Sequence, residues 1–286
     1  MQVNKAGDKL ITKKSIKKFL NKNQLLLKIS KSIRFYIKKV FMGYRKYPGI
    51  PGHIHFNDQS LIKNNSDHYK SVGISAAKLI ESAMNEVGMA LEEISNILDF
   101  PCGYGRVLRF IKKAFPQADF YVGDIDKHAL KFCKKEFNVI PVQSDKNFKK
   151  IKFPVSYDLV WVGSLFTHIN SKDFKDLLVT LISSLKEKGI IIFTTHGKEC
   201  LNQLNSYGLD DLNPDDIKNQ IENSGFYFKP YPGQSNYGIS ICSQVFVTET
   251  VDQFFGDRVK LIYHKNRGWD NHQDVYAFQK TSSPKK

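Results

Sequence analysis

Two acids and two glycines stand at a spacing that can hold a nucleotide-like ligand. Asp99 ends an apolar run and precedes a tight turn that contains Gly103 and Gly105, and Asp124 ends a second apolar run nineteen residues after Gly105. The carboxyl ends of parallel strands form the ligand crevice of such a sheet. Glycine lets the backbone approach the ligand, and an acid at the tip of the second strand can accept hydrogen bonds from both ribose hydroxyls.

The turn differs from the two common phosphate-binding motifs. A dinucleotide fingerprint needs a third glycine, where this chain has Leu108, and no G-x-x-x-x-G-K-[ST] motif occurs. A carboxylate at Asp99 would repel a pyrophosphate, but it suits a ligand with an ammonium and a sulfonium. We therefore predict that the cofactor is S-adenosylmethionine.

Four sequence segments carry a family resemblance. Residues 99–105 read D-F-P-C-G-Y-G, residues 161–168 W-V-G-S-L-F-T-H, residues 193–197 F-T-T-H-G and residues 272–275 H-Q-D-V. The first resembles the first motif of the class I S-adenosylmethionine-dependent methyltransferases, with Pro101 replacing its first glycine. Together the segments resemble a bacterial subgroup that is associated with glycosyltransferases and surface-polysaccharide gene clusters.

The resemblance covers roughly residues 50–280 and implies a function. It implies O-methylation of a sugar hydroxyl on a glycan or a lipid-linked glycan precursor, with a glycosyltransferase as a partner. Three alternatives stay open: a methyltransferase of another small molecule, a non-catalytic S-adenosylmethionine-binding scaffold and, as the weakest, a nucleic-acid methyltransferase. The Pro-Cys pair follows the first strand here, not the fourth as in cytosine methyltransferases, so we expect no nucleic-acid partner.

The predicted cofactor-binding residues surround the turn and the second acid. They are Asp99, Phe100, Pro101, Gly103, Gly105, Asp124, Ile125 and Asp145. Asp99 has a competing role as a helix cap. Asp145 is the position where the family often places an acid that binds the adenine amino group, although polar loop residues are common.

The acceptor side offers histidines as bases. A sugar hydroxyl is a poor nucleophile at neutral pH, and histidine is the usual residue that accepts its proton. His196 and His168 follow predicted strands and are the candidate catalytic residues, His196 the stronger, and His272 opens the last strand. Each also has a purely structural interpretation. We predict no metal site, because the pair His53 and His55 lacks a third ligand nearby.

Alternating strand and helix patterns position these residues. Strands are predicted at 95–100, 119–123, 139–142, 157–163, 189–195, 258–264 and 273–279, and helices at 72–87, 104–115, 127–137, 171–186 and from Pro214 to Gly225. This order predicts an α/β fold with a Rossmann-like, doubly wound, seven-stranded and mostly parallel sheet. The resemblance implies that the last strand is antiparallel.

Charge divides the 286-residue chain into a basic arm and a neutral remainder. Residues 1–48 contain 14 Lys and Arg but one acid, so +13 of the net +15 lies there. We predict a basic amphipathic extension over 1–48, a methyltransferase domain over 49–280 and a disordered tail over 281–286. The helical pattern at 10–41 has two interpretations, binding to an anionic membrane surface or docking on the domain. The four scattered cysteines favour a cytoplasmic location, with the arm as a peripheral contact to the inner membrane.

Overall fold

A computed structural model describes residues 45–60, 65–201 and 212–281. The chain divides into two compact units, and residues 46–53 and 58–286 form the unit that contains the large sheet and the cavities at its edge. The predicted arm at 10–41 lies outside the described residues, as does the predicted tail after Thr281.

Eleven strands occur in the described ranges. They are β1 (Arg45–Tyr47), β2 (Ile50–Ile54), β3 (Asn96–Asp99), β4 (Asp119–Asp124), β5 (Ile140–Gln143), β6 (Tyr157–Val162), β7 (Leu185–Thr195), β8 (Phe226–Pro230), β9 (Gly238–Cys242), β10 (Val259–Trp269) and β11 (Gln273–Lys280). Seven form one sheet in the order β10-β11-β7-β6-β3-β4-β5, and β1-β2 and β8-β9 form two small sheets. Within the large sheet, β3 to β7 are parallel and β11 is antiparallel to β7. The predicted seven-stranded, mostly parallel sheet is confirmed.

Six α-helices occur in the described ranges; five pack on the two faces of this sheet, and the one at Pro214–Ser224 packs against the β8-β9 hairpin. They are α1 (Ser66–Asn85), α2 (Leu108–Ala114), α3 (Lys127–Phe137), α4 (Ser171–Ser183), α5 (Pro214–Ser224) and α6 (Gln244–Phe255). Successive strand residues point to opposite faces: Ile97 packs in one core cluster with α1, α2 and α3, whereas Leu98 packs in the other with α4 and α6. The double winding thus follows from apolar strands that are buried on both sides. None of the helices in the described ranges is long and apolar enough to cross a membrane.

Three predicted helix boundaries are wrong. The helix predicted from residue 72 begins at Ser66, where the side chain of Asn65 caps it by accepting the N–H of His68. The helix predicted from residue 104 begins at Leu108, because positive φ angles at Gly103 and Gly105 keep the preceding residues in a turn. The helix predicted to residue 186 ends at Ser183, because Leu185 already pairs with Tyr157 in the sheet. The sequence patterns also failed to predict α6 and the β8-β9 hairpin.

The β8-β9 hairpin brings its loop to the carboxyl edge of the sheet. The Gly238 N–H donates to the carbonyl of His168 at 2.9 Å, and the Ser240 N–H donates to the carbonyl of Thr167 at 2.9 Å. A Cβ on Gly238 would lie 1.9 Å from the carbonyl oxygen of Lys229, so the close pairing requires glycine there. The hairpin therefore places residues 231–237 beside the strand ends where the predicted site residues lie.

Candidate active site

Two glycines with left-handed backbone shape the turn between β3 and α2. Gly103 has φ +50° and Gly105 has φ +78°, a region that other residues rarely adopt. A Cβ on Gly105 would lie 2.6 Å from the ring of Phe137, whereas one on Gly103 would meet no atom within 4 Å. The Gly103 N–H donates to Oδ2 of Asp124 at 2.8 Å. The turn is therefore packed against α3 at Gly105, held to β4 and open beside Gly103.

Asp99 presents a buried carboxylate oxygen without a protein partner. Its side chain is 1 % exposed, and its Oδ2 has no hydrogen-bond partner among the described residues. Burial raises the pKa of this carboxyl well above its ordinary value, and the charge of Asp124 raises it further, while a backbone hydrogen bond from Leu108 opposes the shift. A buried polar atom in this state calls for a partner. A ligand cation would supply one.

A small cavity of about 100 Å³ adjoins this carboxylate. Asp58 and Arg106 join Asp99 in its lining, and Trp161 and Trp269 form apolar walls. Asp58 is 3 % exposed, and the Arg106 guanidinium lies 5.6 Å from the centroid of the Trp269 ring. The cavity thus offers acids to an ammonium and a guanidinium to a carboxylate, which together match the zwitterionic end of an amino acid.

A larger cavity of about 600 Å³ shares the lining residue Pro101 with the small one. This volume is within the usual range for small-molecule sites. Its wall nearest the cofactor turn consists of Phe100, Pro101, Asp124, Ile125, Ser144 and Asp145.

Asp124 is fixed by backbone donors at the tip of β4. Its Oδ2 accepts the N–H of Gly103, and its Oδ1 accepts the N–H of Asp126 at 2.8 Å. Burial raises the pKa of Asp124, and the two backbone hydrogen bonds partly offset this. Each carboxylate oxygen has a second acceptor position. Asp124 can therefore accept hydrogen bonds from a ligand diol while the backbone holds its orientation.

The hairpin loop and α4 form another part of the lining of the large cavity. Its lining there includes Ile169, Asp173 and residues 233–237. Tyr237 is 40 % exposed, and its ring centroid lies 5.0 Å from that of His168. Asn170 donates from Nδ2 to Oδ2 of Asp173 at 2.9 Å, which orients this carboxylate at the first turn of α4. This region presents amide, hydroxyl, carboxylate and aromatic groups to the cavity.

The two candidate catalytic histidines lie beside the cavities and line neither. His196 is 2 % exposed, its Nδ1 lies 3.1 Å from the carbonyl oxygen of Ser240, and its ring centroid is 6.3 Å from that of His168. Burial, followed by the charges of His168 and His272, lowers the pKa of His196 to about 3. His168 has its Nδ1 2.9 Å from the carbonyl oxygen of Gly238. A base with so low a pKa is weak at neutral pH, so their catalytic role stays a prediction.

The structure brings most predicted cofactor residues to the two cavities. Asp99 lines the small cavity, and Pro101 lines both. The large cavity is lined by Phe100, Asp124, Ile125 and Asp145. Gly103 and Gly105 shape the turn and line neither cavity. Sequence reasoning missed Asp58, Arg106 and Asp173. Arg106 directly follows the turn, so its position was a usable signal, whereas nothing local distinguishes Asp58 or Asp173 from ordinary surface acids.

Comparisons with known proteins agree with this geometry. Residues 97–189 match the family described as "Methyltransferase domain". The malonyl-[acyl-carrier protein] O-methyltransferase of Calditerrivibrio nitroreducens is 26 % identical over 154 residues, which are 54 % of this chain and 58 % of that protein. The malonyl-[acyl-carrier protein] O-methyltransferase 2 of Ilyobacter polytropus is 32 % identical over 129 residues, or 43 % and 48 % of the two chains. The chain thus spans about half the length of these relatives.

Solved structures share the fold at low sequence identity. An S-adenosylmethionine-dependent methyltransferase from Clostridium acetobutylicum has a TM-score of 0.53 and 15 % identity, covering 78 % of this chain and 96 % of that one. The plantazolicin methyltransferase BpumL, solved with a monoazolic desmethyl analogue and S-adenosylhomocysteine (SAH), has a TM-score of 0.52 and 14 % identity, covering 78 % of this chain and 89 % of that one. Residues 97–189 of this chain therefore form a methyltransferase domain, and the surrounding sheet has the fold of the S-adenosylmethionine-dependent methyltransferases.

Proposed function

We propose that this chain is an S-adenosylmethionine-dependent methyltransferase that O-methylates a sugar hydroxyl of a glycan or glycan precursor. The observation that carries the cofactor assignment is the pair of cavities that adjoin at Pro101. The smaller contains the carboxylate oxygen of Asp99, which has no partner in the described part of the chain, beside Arg106, and the larger contains the backbone-fixed carboxylate of Asp124. This donor and acceptor set fits an amino-acid end and a ribose diol.

The residues of the chain then have distinct tasks. Asp99 and Asp58 hold the ammonium, Arg106 holds the carboxylate, and Asp124 accepts the ribose hydroxyls. Asp145 stands at the cavity wall as the acceptor for the adenine amino group. When bound, the cofactor supplies an electrophilic methyl group on a sulfonium, and the protein contributes alignment and exclusion of water.

The charge of the large cavity supports a neutral acceptor. Among the residues that the structure describes, three acids, Asp124, Asp145 and Asp173, line it against one cation, Lys146. Because Asp124 and Asp145 are assigned to the cofactor, Asp173 is the carboxylate that would repel an anionic acceptor. The malonyl group in the names of the relatives is such an anion, so a carboxyl acceptor is the second candidate; Lys146 is the feature that favours it.

The hairpin loop supports a polyhydroxylated acceptor. Gln234, Ser235 and Asn236 line the cavity with groups that both donate and accept hydrogen bonds, and the exposed ring of Tyr237 lies next to them. Sugar rings present hydroxyl groups at their edges and C–H groups on their faces. A combination of amides with an aromatic ring suits both features.

The test is an acceptor panel. Purified protein is incubated with S-adenosylmethionine and either methyl glycosides of neutral hexoses or a malonyl thioester, and SAH formation is measured by mass spectrometry. We expect SAH to form with at least one glycoside and the product to carry an O-methyl ether. Asp124→Ala should abolish turnover, and Asp252→Ala, at an exposed acid on α6, is the matched control. Turnover with the malonyl thioester alone would reject the sugar acceptor and keep the cofactor assignment.

We further propose that the basic arm binds an anionic membrane surface, where lipid-linked glycans and a glycosyltransferase partner would lie. Its charge and apolar spacing support this proposal. Full-length protein should sediment with vesicles containing phosphatidylglycerol and not with neutral phosphatidylcholine vesicles, and replacement of Lys13, Lys14, Lys17 and Lys18 by Glu should abolish sedimentation. Equal sedimentation with both kinds of vesicle would reject an electrostatic membrane contact.

A further inference from the structure

Arg109 is a buried cation that holds the carbonyl groups of the cofactor turn. Its side chain projects from α2 and is only 2 % exposed. The guanidinium donates from Nε to the carbonyl of Gly105 at 2.9 Å and from Nη2 to the carbonyl of Tyr104 at 3.2 Å. Both carbonyls belong to the turn that carries Gly103, whose N–H fixes Asp124. The turn is thus constrained by a side chain that lines neither cavity.

The same guanidinium holds a segment more than fifty residues earlier in the chain. Its Nη1 donates to the carbonyl of Pro51 at 2.6 Å and to that of His53 at 3.2 Å. The Oε1 atom of Glu136 on α3 accepts the backbone N–H of His53 at 2.6 Å. The same oxygen lies 3.0 Å from Nδ1 of the His53 ring. Residues 51–53, here called the clamped segment, are therefore held from both α2 and α3.

Gly52 makes this fit possible. It has φ +72°, and a Cβ there would lie 2.9 Å from Oε1 of Glu136 and 3.7 Å from Nη1 of Arg109. Gly49, three residues earlier, has the same φ of +72°, but a Cβ there would meet only the flexible end of Lys70. The two glycines therefore carry equal backbone strain on substitution and differ in whether they touch the clamp.

Burial makes the two halves of this contact depend on each other. A guanidinium is expensive to bury unless its donors are satisfied, and here carbonyl groups from both segments satisfy them. The cation also lies 5.0 Å from the ring centroid of Phe137 and 5.7 Å from that of Tyr69. Displacement of the clamped segment would leave donors of Arg109 without acceptors and loosen the Tyr104 and Gly105 carbonyls. The segment and the turn therefore form one cooperative structure.

We propose that Arg109 is a positioning residue for the cofactor turn and that the clamped segment is part of the cofactor-binding unit. This inference rests on the proposed function, since it assumes that the turn binds S-adenosylmethionine. It extends the cofactor site to residues 51–53, which line neither of the two cavities and precede the matched methyltransferase region by more than forty residues.

The test measures SAH affinity by calorimetry on full-length variants. Arg109→Lys keeps the charge but cannot reach both the cofactor turn and the clamped segment. Gly52→Ala displaces the clamped segment. Each variant should raise the Kd for SAH roughly ten-fold, because one or two net hydrogen bonds are lost. The double variant should weaken binding by less than the product of the two effects, because both break the same contact. Gly49→Ala, the matched control, should stay within about two-fold of the wild type.

The outcomes are distinguishable. If the wild-type chain does not bind SAH, the proposed function fails and this inference falls with it. If the wild type binds and Arg109→Lys and Gly52→Ala retain its Kd, the clamp alone is rejected. If Gly49→Ala weakens binding as much as Gly52→Ala, the effect is general strain and the inference is again rejected. Should Arg109→Lys fail to fold, Glu136→Ala takes its place, since it loosens the clamped segment and keeps the arginine itself. A raised Kd is then expected, and an unchanged Kd would reject the clamp.

Discussion

Replacing Asp99 with Asn should weaken ligand binding and stabilise the ligand-free protein. The carboxylate oxygen Oδ2 is buried and has no partner among the described residues, so it is available to a ligand ammonium. A charge-assisted hydrogen bond contributes about 1.5–3 kcal/mol, which corresponds to a roughly ten- to 150-fold higher Kd for SAH in Asp99→Asn. The amide keeps the shape of the side chain, so the loss reflects charge and not packing.

The substitution should have the opposite effect on the stability of the ligand-free protein, because the buried, ionised carboxyl of Asp99 is poorly solvated. Burial raises the pKa of Asp99 above its value in the unfolded chain, so the native state binds more protons than the unfolded state between the two pKa values. The free energy of unfolding of the wild type therefore falls as pH rises through this window. Asp99→Asn has no such penalty, so its advantage in stability should be present at neutral pH and disappear near pH 4.

Two measurements on the same samples check this prediction. Calorimetry gives the Kd for SAH, and urea unfolding without ligand at about pH 4 and pH 7 gives the free energy of unfolding. Asp119→Asn is the control, because Asp119 is exposed at the opposite end of β4 from Asp124. An unchanged Kd in Asp99→Asn, or a loss of stability at pH 7, would refute the assignment of Asp99 as a buried carboxylate that binds the ligand ammonium.

Three further substitutions probe the turn, the histidine and the acceptor side. Gly105→Ala should destabilise the fold by about 1–2 kcal/mol from its left-handed backbone alone, plus the contact of its Cβ with Phe137; thermal unfolding checks this, and a wild-type melting curve would contradict it. Burial holds the pKa of His196 at about 3, so turnover between about pH 5 and pH 8 should show no inflection from it, and an inflection removed by His196→Ala would disprove this. Tyr237→Ala should raise the acceptor KM and leave the Kd for SAH unchanged, since the ring lines the acceptor part of the cavity; a matching loss of SAH affinity would place Tyr237 on the cofactor side.

The cofactor side of the site was predictable because its signals are local. Asp99, the two glycines and Asp124 lie within one strand-turn-helix-strand unit, so their spacing along the chain translates directly into proximity at the sheet edge. The strands of the large sheet were also predicted, since apolar runs buried on both faces separate clearly from amphipathic helices such as α3. Several helix boundaries, the helix α6 and the β8-β9 hairpin were not predicted.

The remaining residues depend on contacts between distant parts of the chain. Asp58 reaches the small cavity from a segment about forty residues before Asp99, and Arg109 contacts carbonyls more than fifty residues away. The β8-β9 hairpin aligns through bonds such as Gly238 to His168, which no periodicity encodes. His196 illustrates the converse error: its place at the end of β7 is as predicted, but its burial beneath the hairpin, which lowers its pKa, depends on an element that the sequence patterns did not predict.

The donor part of the site and the hairpin loop on the proposed acceptor side come from different parts of the sequence, and the loop lies outside the matched region. The matched methyltransferase region ends at residue 189 and includes Asp99, Asp124 and Asp173. Residues 233–237, which form the acceptor wall, lie beyond it on a hairpin outside the main sheet. Such a loop can change without disturbing the cofactor turn, because it is joined to the sheet edge mainly by backbone bonds. The matched region ends before this hairpin, which is compatible with an acceptor other than the malonyl group in the names of the relatives.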